Sequence, residues 1–427
     1  MAQLVIRNVE NLDGRKNSII VESGIITEIL PEGAATVEGD RIIEGKDHMA
    51  IPGLCNLHTH AAMTLLRGAG EDLELNEWLR DRIWPLEARL TKEHIRAGVE
   101  LAMLEMVKTG TTLFNDMYFM QDHVAKTVHD FGMRAVLCEG FLDLGSEEKR
   151  EENIKRSNFV LDEIDRLGSD LVKGALGPHA VYTVSDEGLH WCKEEARSRG
   201  LKVHMHLSET RGEVEEIISR RGFGPVDHLD DINMLDSELI AAHCVFLTDR
   251  EKDLLAVNGV NISHQPASNM KLSVGGIMDL PGLLGRGSKV GLGTDGAASN
   301  NSLDMFQTMK LAALLAKHSA GASSISSRRI IDCATSSGYG ALGIHGGTLK
   351  EGYLADIVLL DTTHPSMVPT TDRYSNIVYS TTGSAVDHNI INGRVVLENG
   401  RVRNEGEILA RARSAAFDLF SKDQMAS

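Results

Sequence analysis

The chain has 427 residues, 42% hydrophobic and 25% charged, which suits a globular protein with room for a barrel and one further module. A net charge of −17 would repel a nucleic-acid backbone, and no run of 18 apolar residues offers a membrane span, so neither is expected as a partner. Five cysteines without a Cys-x-x-Cys pair argue against a disulfide framework or a thiolate zinc cage; the opening Met1-Ala-Gln-Leu-Val-Ile-Arg7 lacks the segments of a signal peptide, and a cytoplasmic enzyme is the expectation.

Residues 1–50 read as short alternating β segments broken by Asp13-Gly14, Ser23-Gly24 and Gly39-Asp40. The same texture returns in 346–427, where Gly352-Tyr-Leu-Ala-Asp-Ile-Val-Leu-Leu-Asp361 is followed by turn signals at Asn392-Gly393 and Asn399-Gly400. The simplest account is one small β-sandwich built from both termini. An amphipathic helix over 406–423 closes the chain, with Leu409, Ala412, Ala416 and Phe420 on one face.

The central domain, 51–345, alternates strand and helix. Strands are expected at 51–58, 111–116, 134–139, 171–178, 201–207, 239–243, 260–264 and 289–295. The clearest helix runs from Thr91 to Lys108: Thr91 caps it, Ile95, Val99, Ala102 and Met106 form its apolar stripe, and Gly110 stops it. Eight such units in series imply an α/β fold of the (β/α)8, TIM-barrel type. The stretch 318–327 reads as a surface loop.

A barrel of this kind carries its chemistry at the C-terminal ends of its strands. The first strand ends in His58 and His60, the second in Asn115-Asp116, the third in Glu139 and the fourth in His179. The fifth is Val203-His-Met-His206-Leu-Ser-Glu209, the sixth ends in His243, the seventh in His264 and the eighth in Asp295. His58 and His60 are two apart on a strand, so they share a face and suit a divalent metal. One histidine at a strand end is unremarkable; six at one level of a barrel indicate a site.

These residues carry a resemblance. Pro52-Gly-Leu-Cys-Asn-Leu-His58-Thr-His60, His206-Leu-Ser-Glu209, Ala242-His243 and Gly293-Thr-Asp295-Gly together resemble the amidohydrolase superfamily over nearly the whole chain. Glu77-Trp78, Trp84-Pro-Leu-Glu87, Gly177-Pro-His179, Ser268-Asn269-Met-Lys271-Leu, Ala341-Leu-Gly-Ile-His345 and Gly346-Gly-Thr-Leu349 narrow it to the methylthioadenosine/S-adenosylhomocysteine deaminases. The resemblance implies one zinc per subunit on His58, His60, His206 and Asp295. His206 is preferred to His204, which points the same way one layer deeper. A second metal would need a bridging lysine at the end of the fourth strand. Lys173 is the only candidate there, and it lies six residues before His179, roughly 20 Å along a strand.

The expected reaction is hydrolytic deamination at C6 of an adenine ring, with a small-molecule nucleoside as partner. Asp295 takes a proton from the attacking water, Glu209 shuttles one to N1, and His243 stabilises the oxygen. In the resembling family the residue at Glu87 binds the ribose 2′ and 3′ hydroxyls and the one at His179 contacts the nucleoside; Trp78 is expected as a pocket wall. Some relatives carry an arginine at the end of the third strand for the carboxylate of S-adenosylhomocysteine. Glu139 stands there in this chain, with Lys149 or Arg150 as alternative cations. That departure looks closer to the archaeal 5′-deoxyadenosine deaminases. It ranks 5′-deoxyadenosine first, then methylthioadenosine, S-adenosylhomocysteine and adenosine, with a place in recycling by-products of S-adenosylmethionine. The resemblance also implies a homo-oligomer, a tetramer. The rival readings are another deaminase of this superfamily, of guanine or triazine type, and a non-catalytic scaffold.

Overall fold

Gly53 is where the chain passes from one sheet into another. In the computed structural model, which describes residues 3–33, 39–70, 72–73 and 75–424, a Cβ at Gly53 would lie 2.1 Å from the Thr112 hydroxyl. Only glycine fits that crossing. The expected first strand is therefore two. His48–Pro52 pairs with the terminal sheet and Leu54–Thr59 opens the barrel, so the chain changes sheets at Gly53.

The terminal sheet contains Leu4–Glu10 (β1), Lys16–Glu22 (β2), Ile25–Pro31 (β3), Arg41–Glu44 (β4) and His48–Pro52 (β5). The barrel strands follow: Leu54–Thr59 (β6), Thr111–Tyr118 (β7), Arg134–Phe141 (β8), Val172–Pro178 (β9), Val203–Leu207 (β10), Leu239–His243 (β11), Asn261–His264 (β12) and Lys289–Leu292 (β13). The far end of the chain returns to the first sheet with Ile357–Asp361 (β14), Val386–Ile391 (β15), Arg394–Glu398 (β16) and Arg401–Val402 (β17).

Strands β6 to β13 are parallel neighbours in chain order. The ring nearly closes where Asp295 N–H donates to the His58 carbonyl at 2.9 Å and Thr294 N–H to the Asn56 amide oxygen at 2.9 Å. Both termini build one mixed sheet in the order β17-β16-β15-β14-β5-β1-β2-β3, with β4 branching from β1. The two sheets are tied at the barrel end opposite the histidines. There the buried Arg134 donates to Asp356 at 2.9 Å, and Tyr339 O–H and Asn392 N–H donate to the same carboxylate at 2.7 Å each. Lys173, the second residue of β9, is exposed and lies toward this end.

Helix Lys92–Lys108 follows the expected pattern. Thr91 accepts from His94 N–H, the His94 ring accepts from Thr91 N–H, and Ile95, Val99, Ala102 and Met106 are buried. The terminal helix Glu405–Gln424 docks on it through Arg411 to Glu100 at 2.6 Å, and Arg89, just before helix Lys92–Lys108, donates to the Leu419 carbonyl at 2.7 Å. Ile408, Ala412 and Leu419 are buried, and Leu409, Ala416 and Phe420 of the expected face are half-buried against the core. The loop expected at 318–327 begins three residues later, because helix Met305–Ala320 runs on to Ala320. Among the described residues no helix is long and apolar enough to cross a membrane.

Candidate active site

Parallel strands put their last side chains at one mouth, and three histidines and an aspartate meet there. The His58 and His60 rings are 4.8 Å apart at the end of β6, and His206 arrives from β10 with Nε2 3.4 Å from His60 Nε2. Asp295 Oδ1 lies 3.4 Å from His58 Nε2 and 3.2 Å from His60 Nε2.

Each ring is turned by its other nitrogen. His60 Nδ1–H donates to the Met117 carbonyl at 2.6 Å, and His206 Nδ1–H to the His179 carbonyl at 2.9 Å. His58 Nδ1 is 2.9 Å from His204 Nε2, and His204 Nδ1 is 2.8 Å from the Asn115 amide. His204 thus sits beneath the cluster and orients His58. The backbone at Asp295 is left-handed, φ +66°, and its carboxylate accepts from Gly296 N–H, Ser268 O–H and Ser299 O–H at 2.8, 2.5 and 2.8 Å.

The donor set fits a divalent metal. His58 Nε2 is buried and has no hydrogen-bond partner among the described residues. Burial keeps His58 neutral, lowering it to about 4, and pushes His206 well below its usual value. Burial also opposes charge on His60, but the Asp295 carboxylate outweighs it and raises that ring to about 9. A proton held between a carboxylate and imidazoles is what a divalent cation displaces on binding. Three nitrogens and one oxygen suit a borderline first-row ion, and outer partners that fix the ring orientations are what such a site requires.

Two further groups border the cluster. His243, at the end of β11 with φ +73°, donates from Nδ1 to the Asn269 amide oxygen at 2.8 Å, while its own N–H donates to Gln265. Its ring lies 5.4 Å from His58 and 5.5 Å from His206. Glu209 Oε1 is 3.7 Å from His243 Nδ1, and burial raises its carboxyl above the usual range. The turn that aims Glu209 is held by Glu213, whose two oxygens accept from Ser208 N–H and Glu209 N–H at 2.8 Å each. Burial pushes Glu213 up to about 7. Sequence reasoning passed over Glu213, although its position in the first turn after Glu209 was a signal.

Glu87 accepts from Tyr118 O–H at 2.7 Å, and the Tyr118 ring is 6.3 Å from His60, which brings Glu87 to the mouth. Tyr118 was also missed, because β7 runs two residues past its expected end. The His179 ring lies 4.7 Å from His206, with Nδ1 2.9 Å from the Thr183 hydroxyl, and burial lowers it to about 4.

Two expected substrate contacts are placed otherwise. Trp78 is packed in the apolar core, and its indole N–H donates to the Ala69 carbonyl at 3.1 Å, so it braces the loop after β6. The Glu139 carboxylate accepts from Met120 N–H, Gln121 N–H and Arg156 Nε–H at 3.2, 2.8 and 2.9 Å. It anchors the start of helix Gln121–Phe131 and is not free to face a ligand. Lys149 and Arg150 lie in the first turn of helix Glu147–Leu167, on the loop side of β8. Asp116 is likewise engaged by Thr59, Ala61 and Gln121.

Residues 49–396 match the model of the Amidohydrolase family. The chain is 42% identical over 422 residues to a 5′-deoxyadenosine deaminase of Methanothermobacter thermautotrophicus, covering 97% of this chain and 98% of that one. It is 45% identical over 383 residues to a 5-methylthioadenosine/S-adenosylhomocysteine deaminase of Thermococcus sibiricus, covering 90% of each. An adenosine deaminase from Xanthomonas campestris, solved with bound zinc, superposes with a TM-score of 0.92 at 31% identity over 98% of both chains.

Proposed function

The chain belongs to the amidohydrolase family, and from that premise we propose that it is a hydrolytic deaminase of 5′-modified adenosines, acting first on 5′-deoxyadenosine. Methylthioadenosine, S-adenosylhomocysteine and adenosine follow as accepted substrates, and the products are the inosine analogues and ammonia. The observation that carries this reading is the Glu87 carboxylate, held by Tyr118 beside a three-histidine, one-aspartate cluster that Glu209 and His243 border.

His58, His60, His206 and Asp295 are the residues that would hold a divalent metal, which we assign as one zinc. When bound, such an ion lowers the pKa of a water toward ~7. Asp295 accepts the proton of the attacking water and later returns it to the leaving amine. Glu209, whose carboxyl burial raises, gives a proton to N1 as the water oxygen bonds to C6. His243, fixed by Asn269, donates or accepts at the developing C6 oxygen through its remaining nitrogen. As ammonia leaves, the C6 O–H returns a proton to Glu209 and the ring remains as a 6-oxopurine. Glu87 accepts the ribose 2′ and 3′ O–H groups, and His179 flanks the nucleoside. A guanine or triazine substrate would leave Glu87 without a ribose to hold. A non-catalytic scaffold would have no use for a complete ligand and proton-transfer set.

Incubation of the zinc-loaded protein with 5′-deoxyadenosine in 18O water tests the reading. The expected product is 5′-deoxyinosine labelled at its 6-oxygen, with one equivalent of ammonia. Recovery of unchanged nucleoside, or release of free adenine, would overturn it.

A further inference from the structure

A second group of potential ligands lies far from the mouth, in the terminal sheet. His48 opens β5, and Asp387 and His388 are consecutive in β15. Neighbouring side chains of a regular strand point to opposite faces. Here the pairing shifts: Leu359 of β14 opposes His388 while Leu360 opposes Val386, which leaves Asp387 as the extra residue of a bulge. A bulge re-aims side chains, and this one brings Asp387 and His388 together toward His48. One carboxylate oxygen, Asp387 Oδ2, is 2.8 Å from His48 Nε2 and 3.0 Å from His388 Nδ1. The two rings are 5.4 Å apart and nearly perpendicular.

Hydrogen bonding does not account for the whole group. His388 Nδ1 is buried and, despite its distance to Asp387, has no aligned hydrogen bond among the described residues. His48 is half-buried and the Asp387 side chain keeps 28% exposure, so the cluster opens to solvent on one side. Burial holds His388 below its usual pKa and keeps it available as a neutral ligand. The nearby Arg41 is paired with Glu398 at 2.7 Å, so the partners of Asp387 within the group are the two imidazoles.

We propose that His48, Asp387 and His388 form a second divalent-metal site, separate from the catalytic centre, that takes zinc or a similar first-row ion. Two imidazoles and one carboxylate are a borderline-metal donor set, and water from the open side completes the shell. Donor atoms around a four-coordinate zinc lie roughly 3.3 Å apart, from bond lengths near 2.0 Å, so the two contacts to Asp387 Oδ2 need open only by a few tenths of an ångström. The ion would join segments of the chain 339 residues apart and bind only the folded sheet, so it acts as a staple of the small domain.

The test is a zinc titration of chelator-stripped full-length protein by equilibrium dialysis and elemental analysis. The wild type should bind two equivalents. His48→Gln and the isosteric Asp387→Asn should each bind one and keep the wild-type kcat for nucleoside deamination. The second equivalent should raise the wild-type Tm and leave that of either variant unchanged. In the wild type it should also slow carbethoxylation of His48 by diethyl pyrocarbonate, a readout that needs no variant to fold. A wild-type stoichiometry of one, two equivalents retained by folded variants, or His48 reactivity indifferent to the second zinc would each overturn the proposal.

Discussion

Replacing Glu87 with glutamine isolates the ribose contact. Glutamine keeps the shape and the carbonyl oxygen that Tyr118 needs, so the frame at 2.7 Å survives while the charge is lost. A hydrogen bond to a charged group contributes ~1.5–3 kcal/mol and a neutral one about 1, so two hydroxyls together lose about 1–4 kcal/mol. That corresponds to a fall of roughly 5- to 1000-fold in kcat/KM, carried mainly by KM because the contact is present before and during reaction. The assay is loss of adenosine absorbance with Glu87→Gln and wild type on 5′-deoxyadenosine and on 2′,3′-dideoxyadenosine. The wild type should be weakened on the dideoxy substrate by a similar factor, and the two proteins should be nearly equal there. An equal loss by Glu87→Gln on both substrates would refute the ribose role.

Glu209→Gln should lower kcat by about 10²- to 10⁴-fold and leave zinc content unchanged, since its carboxylate stands outside the donor cluster; a loss of metal would move Glu209 from proton transfer to the ligand shell. Glu139→Arg removes the acceptor of two backbone N–H groups and sets a second cation against Arg156, so the urea midpoint should fall by the equivalent of about 2–4 kcal/mol while the ratio of S-adenosylhomocysteine to 5′-deoxyadenosine turnover stays put. An unchanged midpoint with a raised ratio would restore Glu139 to the substrate site. The folded-state pKa of Glu213, about 7, lies above its ordinary 4.5, so the folded chain holds the extra proton and stability from this group falls as pH rises from about 4.5 through 7. Glu213→Gln should lack that slope, shifting the stability difference in its favour by up to about 3 kcal/mol between pH 4.5 and 8; parallel pH curves would contradict the assignment.

The barrel is legible in the sequence because its strands are short apolar runs separated by helical stripes, and its chemistry because the histidines recur at strand ends. What escaped depends on side chains reaching across elements. Glu139 has the position of a mouth residue, yet its partners are the backbone of Met120 and Gln121 and a guanidinium from Arg156, one helix further on. The crossing at Gly53 carries only the Pro52-Gly53 pair as a break in an otherwise apolar run, and the closeness of Thr112 shows that the chain changes sheets there. His204 and His206 share a face by parity. The sequence could rank them only by depth along the strand; the partners that divide their roles, His58 and Asn115 for His204 and His60 for His206, come from other strands. The Asp387 bulge is likewise invisible in an apolar strand pattern, and with it the group around His48.

The most direct measurement is kcat/KM of the zinc-loaded protein on 5′-deoxyadenosine, methylthioadenosine, S-adenosylhomocysteine, adenosine and free adenine. Ribose-anchored deamination requires turnover of the nucleosides, with 5′-deoxyadenosine foremost, and none of adenine. Adenine turned over as readily as the nucleosides, or no nucleoside turned over with zinc bound and Asp295 intact, would contradict it.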